Sequence, residues 1–406
     1  MRAEPPPAPR NPAASAANAG GSGGSGGPGE SRGDEHMTLA TYFGERERVA
    51  GHLLADRLLD LYGEHKIRGS ILLRGVQGFG SHHRLRTDRL LTLSEDLPVL
   101  ALAVDTRERI EALLPQVAAL QRRGLTTVGR VRVVSAGMAT GGGMPAGERS
   151  PATDWCHTTP IARPPDPAGS EAVKLTIHLG RRERVDGQPA FAAVCELLHA
   201  AGVAGASTLL GVDGTRAGRR ERARFFAANS TVPMMILAVG STQLIEAVLP
   251  RLHAMLHDPL VTLQRVRVCK RDGQLIEAPH ETTDTDAQGR AVWQKLTIVT
   301  SEAARHDGRA VHLELIRRLR AAGAAGATSL RGVWGFHGAH APHGDRLLSL
   351  RRHVPVLSIL VDTPERVAQL FGIVDELTAE RGLVTSETVR AGPSIVTASR
   401  GCSSVG

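Results

Sequence analysis

Leu72-Leu73-Arg74-Gly75-Val76-Gln77-Gly78-Phe79-Gly80 decides the fold, because the stretch is written three times. It returns as LLGVDGTRAG over residues 209–218 and as LRGVWGFHG over residues 330–338. Working outward, the same offsets carry Leu39 to Leu175 and Leu296, Arg48 to Arg184 and Arg305, and Gly51 to Gly187 and Gly308. Downstream, Asp88-Arg89-Leu90-Leu91 matches Asp345-Arg346-Leu347-Leu348, and Pro98 matches Pro233 and Pro355. A register held over that distance marks a triplicated unit. Repeats are expected over residues 37–136, 172–271 and 293–392, joined by polar linkers over 137–171 and 272–292. Residues 1–36, rich in Pro, Ala, Gly and Ser, are expected to be a disordered tail with Met37 as a candidate start, and 393–406 a flexible one.

Each copy reads strand, helix, strand, long loop, strand, helix, strand. In the first, LATYF over 39–43 alternates as a strand, and Val49 to Glu64 carries leucines at helical spacing. SILLRG is the second strand and PVLALAV the third, after which Asp105 or Thr106 is positioned to cap a helix running through QVAALQRR. LTTVGRVRVV closes the unit. This βαββαβ order predicts an α+β fold of three tandem ferredoxin-like domains. A sheet covered by helices on one face alternates if its other face meets water. The third strands do not alternate: Val99-Leu100-Ala101-Leu102-Ala103-Val104, Met234-Met235-Ile236-Leu237-Ala238-Val239 and Val356-Leu357-Ser358-Ile359-Leu360-Val361 are apolar on both faces. Sheet packed toward sheet, the copies would make a pseudo-trimer within one chain.

Composition narrows the function. The 406 residues carry a net charge of +8, but only Lys66, Lys174, Lys270 and Lys295 among the 49 basic residues are lysines. Acidic residues interleave with them, so the surplus reads as solvated surface. With 3% aromatics there are few platforms for stacking bases, and direct nucleic-acid binding is not expected. Cys156, Cys195, Cys269 and Cys402 lie far apart with no CxxC pair, which suits a reducing compartment. No apolar run is long enough for a membrane helix and the N-terminus lacks an apolar signal core, so a cytoplasmic protein is expected.

The motifs L-x-x-Y-F-G-E-R-E-R-x-x-G (39–51), L-R-G-V-x-G-F-G, L-S-E-D-L-P-V (93–99) and G-L-T-T-x-x-R-V-R-V (124–133) resemble the PII-like domains of unknown function, family 190. The resemblance is strongest in copy one and degraded in copy two. It implies ferredoxin-like domains assembled in threes, like the PII signalling proteins, which bind adenine nucleotides between subunits and engage partners through a loop after the second strand.

Three groups of residues are candidates for binding. Arg74, Gly75, Gly78, Phe79 and Gly80, with Arg331, Gly332, Gly335 and Phe336, combine glycines that let backbone amides approach an anion with an arginine fork. The competing reading is a tight turn whose Val and Phe dock on the core. Copy two has Leu210 in place of the arginine and should bind poorly. Arg130 and Arg132, with Arg265 and Arg267, share one strand face. The PII resemblance implies a phosphate-binding role for them, against an edge strand whose charges discourage pairing. His337, His340 and His343, with His82 and His83 in the first loop, are weak metal candidates against a solvated His-rich loop. Adjacent Glu95 and Asp96, with Arg352 and His353 as counterparts, do not make a convergent acid–base pair.

No cofactor and no catalysis are expected. The expectation is a PII-like regulator that reversibly binds a small anionic ligand, an adenine nucleotide being one candidate, at interdomain clefts and acts on a protein partner. The alternatives are a ligand-free scaffold associated with an ion transporter, and a divalent-metal binder working through the His loops.

Overall fold

The computed structural model describes residues 35–80, 85–87, 96–121, 124–134, 170–216, 218–220, 232–279, 285–286, 289–337, 342–344 and 354–392. The expected disordered and flexible tails, most of the first linker, and the Glu95, His82, His83, His340, Arg352 and His353 positions lie outside those residues.

Repeat one consists of strand His36–Gly44, helix Leu54–Glu64, strands Gly69–Arg74 and Pro98–Thr106, helix Arg107–Leu120 and strand Leu125–Val134. Repeat two repeats the order with Glu171–Gly180, helix Ala190–Ala200, Gly205–Leu210, Pro233–Gly240, helix Thr242–Met255 and Leu260–Arg271. Repeat three has Val292–Ser301, helix Val311–Ala321, Gly326–Arg331, Pro355–Asp362, helix Pro364–Leu377 and Leu383–Ala391. Within each, the third strand lies antiparallel between the second and the first, and the first pairs the fourth on its other side. This is the ferredoxin-like arrangement in three tandem copies.

Two local expectations change. The segment read as the start of the first helix is a small hairpin, Arg48–Val49 against His52–Leu53. Ala50 and Gly51 form its turn at φ 49° and 84°, as Asp186-Gly187 and Asp307-Gly308 do in the other copies. Two central residues at positive φ make the hairpin turn that matches strand twist. Nor does Asp105 cap the helix after it. Its carboxylate accepts from the backbone N–H of Arg68 at 2.9 Å and of Thr106 at 2.7 Å, which ties the second strand's start to the third strand's end.

The doubly apolar third strands have the role expected of them. One layer packs under each repeat's own helices. A separate cluster joins Ala40, Ile71, Leu73 and Leu100 to Leu209 and Met235 and to Leu330, Leu357, Ile359 and Val389. The three sheets therefore share one interior, and the chain is an intrachain pseudo-trimer. The fourth strands close the ring: Arg132–Val134 pairs Val261–Leu263, Arg267–Arg271 pairs Leu383–Ser386, and Arg390–Ala391 pairs Thr127–Val128.

Candidate functional site

The glycine-rich turns are where the repeats exchange strands. After Gly75 the chain forms strand Gln77–Phe79, which pairs Ser329–Ala327 of repeat three. Strand Asp213–Arg216 pairs Gly69–Leu72 of repeat one, and strand Trp334–His337 pairs Gly205–Thr208 of repeat two. The N–H groups that resembled an anion cradle are committed: Gly75 donates to Pro98 O and Val76 to Ser329 O, both at 2.8 Å. Gly332 donates to Pro355 O at 2.7 Å and Val333 to Thr208 O at 2.8 Å. A methyl group at Gly78 would lie 2.7 Å from the Ala327 carbonyl oxygen, so glycine here serves the approach of a neighbouring strand.

The phenylalanines explain the G-F pairs. Phe79 is buried in the core of repeat three and Phe336 in that of repeat two, where its ring meets His199 edge-on at 5.0 Å between centroids. Each stands opposite an alanine, Ala327 and Ala206. Copy two has Thr215 in this place, and opposite it stands Ser70. The two hydroxyls are 2.8 Å apart and Thr215 N–H donates to Ser70 Oγ at 3.0 Å. The degraded motif is a matched polar pair. The same interface holds Arg220, whose guanidinium reaches Asp213 at 2.7 Å, Asp56 at 2.5 Å and Asp60 at 3.0 Å.

The expected arginine forks already hold carboxylates. Arg74 pairs Glu45 at 2.9 Å, and Arg331 pairs Glu302. Copy two has Arg181 at the glutamate position and Leu210 at the arginine position, so both partners are absent together. Arg130 pairs Glu35 at 3.0 Å, Arg132 reaches Glu246 of repeat two at 3.5 Å, and Arg267 pairs Glu277 at 3.4 Å, while Arg265 is exposed. Their strands are not edges, because each fourth strand is paired by neighbouring repeats. His337 contributes its backbone to the pairing with Gly205; its side chain and that of His343 lie outside the described residues. Cys195 and Cys269 are buried, and burial pushes both thiols up to about 12, which leaves them protonated and inert at neutral pH.

A cleft of about 1450 Å³ opens between repeats two and three. Repeat two contributes Ala204–Ser207, Leu237, Val239, Arg271 and Asp272. Repeat three contributes the end of its first strand with the hairpin that follows, and the turn from Glu376 to Leu383. Of the residues singled out in the sequence, Phe336 lines it, with Arg331 one step behind through Glu302. Arg305 donates to the carbonyls of Glu302 and Ala304 and has no carboxylate partner among the described residues. Arg381 has no side-chain partner among them either. Glu376 is held by Arg318 at 2.8 Å and His306 at 3.3 Å; the Arg318 hydrogen bond keeps its carboxyl below the usual range. At the repeat one–two boundary side chains of repeat two pack on repeat one. Leu260 packs with Val104, Val131 and Val133 and lies against Gly69, and Arg216 donates to Asp258 O at 2.7 Å. Arg305 stands at the position of Arg48 and Arg184, and Arg381-Gly382-Leu383 repeats Arg123-Gly124-Leu125 of copy one, so the repeat pattern held a signal for both arginines.

The DUF190 family, described as "Uncharacterized ACR", matches residues 36–133, 172–268 and 293–391. A UPF0166 protein of Aquifex aeolicus (strain VF5) is 27% identical over 96 residues, covering 24% of this chain and 90% of that protein. A solved chain assigned provisionally as a glycine cleavage system transcriptional repressor is 12% identical, with 57% of this chain and 98% of that chain covered. Its TM-score of 0.16 carries no argument.

Proposed function

This chain belongs to the DUF190 family, and on that premise we propose that it is a regulatory protein that reversibly binds one small ligand in the cleft between repeats two and three. The cleft itself is the observation that carries the reading. At about 1450 Å³ it exceeds the ~300–1,000 Å³ of typical ligand sites, and two repeats of the ring wall it. In a lining that also holds Asp272, Glu302, Asp307, Glu376 and Glu380, Arg305 and Arg381 are the groups suited to an anionic moiety, and the half-buried Leu237 and Val299 supply apolar wall for the remainder of the ligand. The PII resemblance puts adenine nucleotides first among candidates. A protein partner, with membrane transporters as the class suggested by the same resemblance, would read the occupied state through the repeat two–three boundary.

The strand-exchange role of the glycine turns moves the proposed ligand contacts away from Arg74, Gly75, Gly78, Phe79 and Gly80. Arg331 keeps an indirect part, because without it Glu302 would stand unneutralised in the cleft. Calorimetry of the full chain against adenine nucleotides and other small anions tests the reading. One site per chain is expected, weakened about tenfold or more by Arg305→Ala or Arg381→Ala, since a charge-assisted hydrogen bond contributes ~1.5–3 kcal/mol. Arg331→Ala should weaken binding and Arg74→Ala leave it unchanged. Three equal sites, no binding of any anion, or indifference to both cleft arginines would overturn the proposal.

A further inference from the structure

The three first strands bring equivalent positions to the middle of the ring, and there the repeats differ in charge. Thr38, Lys174 and Lys295 correspond, each set opposite a fourth-strand residue: Gly129, Gln264 and Glu387. Three identical copies would place the same pair of residues at this level three times over. The fused chain places two ammoniums and one carboxylate. Glu387 Oε1 accepts from Lys174 Nζ and from Lys295 Nζ, both at 2.6 Å, and Oε2 accepts from Lys174 at 2.7 Å. Lys174 and Glu387 side chains are 8% and 3% exposed, and Lys295 15%, so bulk water does little of the screening.

Beside this triad lies a cavity of about 70 Å³. Lys174 and Lys295 line it, Glu387 does not, and Gln264 with Thr38, Thr176 and Thr297 supplies further polar wall. The volume is well above the roughly 10–15 Å³ that one water needs. The other titratable groups facing it bring no compensating charge. Burial raises the Tyr42 hydroxyl pKa and keeps it protonated, and burial together with Arg216 pushes His178 down to about 4, leaving it neutral. Two cations against one anion leave an uncompensated positive charge in the interior, which is costly unless paired.

We propose that the axial cavity is a site for a small monovalent inorganic anion of chloride's size, held by Lys174 and Lys295 with Gln264 and the threonine hydroxyls. Such an ion completes a neutral four-charge cluster and is contacted by all three repeats at once. It acts as a fastener of the closed ring, independent of the cleft ligand. The charge requirement also has a pH limit. Burial, countered by Glu387, brings Lys174 down to about 8, so above that pH it loses its proton and the cluster needs no anion.

Thermal unfolding of the full chain at pH 7 and fixed ionic strength, with sodium gluconate exchanged stepwise for sodium chloride or bromide, tests this. The melting temperature should rise saturably with halide, the folded-to-unfolded ratio gaining about 100-fold at 100 times Kd. The rise should vanish at pH 9.5, and in Gln264→Glu, where the chain supplies the missing negative charge beside Lys174. Bromide-soaked crystals should show an anomalous peak between Lys174 and Lys295, a readout that does not depend on any variant folding. Equal melting temperatures in gluconate and halide, a halide effect undiminished in Gln264→Glu, or an axis without bromide would each overturn the proposal.

Discussion

Replacing Phe336 by alanine should damage the repeat that does not contain it. The ring is 2% exposed, sits in repeat two's core among residues that include Val194, Leu198 and Ile236, and meets His199 edge-on. Truncating a buried phenylalanine costs ~3–5 kcal/mol, from lost transfer free energy and the cavity left behind. The aromatic contact, worth ~0.5–1.5 kcal/mol, places this site toward the upper part of that range. Urea unfolding followed by circular dichroism gives the total. Hydrogen exchange gives the location: protection should fall first in helix Ala190–Ala200 and strand Gly205–Leu210, with helix Val311–Ala321 less affected. A loss below about 1 kcal/mol, or exchange accelerated mainly within repeat three, would refute the reasoning and return the G-F pair to the status of a surface turn.

Ser70→Ala and Thr215→Phe test the matched-pair logic together. Each alone should destabilise, by ~1–3 kcal/mol for a stranded buried hydroxyl or an ill-fitting ring, and the double variant should cost less than the sum in a urea-unfolding cycle; strict additivity would sink the idea. Stability should also fall in acid through Glu387. Burial alone would raise its carboxyl, but Lys174 and Lys295 overrule that and hold it down to about 2, below its unfolded value near 4.5. The stabilisation is therefore complete above about pH 4.5 and is lost as pH falls toward 2, and Glu387→Gln should flatten that limb of the pH profile.

The triplication, the βαββαβ order and the shared interior were legible, because Leu39, Leu175 and Leu296 keep register and Leu100, Met235 and Leu357 have no reason to be apolar unless sheets meet. The glycine turns left two readings open because a Gly-rich strand end looks the same whether its amides await an anion or a neighbouring strand. Ser329 and Thr208, which decide between the two, lie in other repeats. The hairpin before each helix did leave a signal in Asp186-Gly187 and Asp307-Gly308, obscured in copy one by Ala50 and a leucine-rich continuation. The axial cluster was readable in principle by setting Thr38 against Lys174 and Lys295. Its partner Glu387 needed the fourth-strand register, which no local pattern supplies.

Cyclic strand exchange also sets a timetable for synthesis. Gln77–Phe79 of the first repeat finds its partner in Ala327–Ser329, about 250 residues later. At ~5–20 residues per second, a ribosome needs on the order of ten to fifty seconds to bridge that gap. Repeat two can dock on repeat one as it emerges, since Asp213–Arg216 pairs a strand already made. The first repeat's own Phe79, by contrast, waits with its apolar ring unhoused until the third repeat arrives. Nascent chains are thus open on one edge for most of their production, and that interval is when chaperones, or a second nascent copy offering the same Ala327 strand, compete for Phe79.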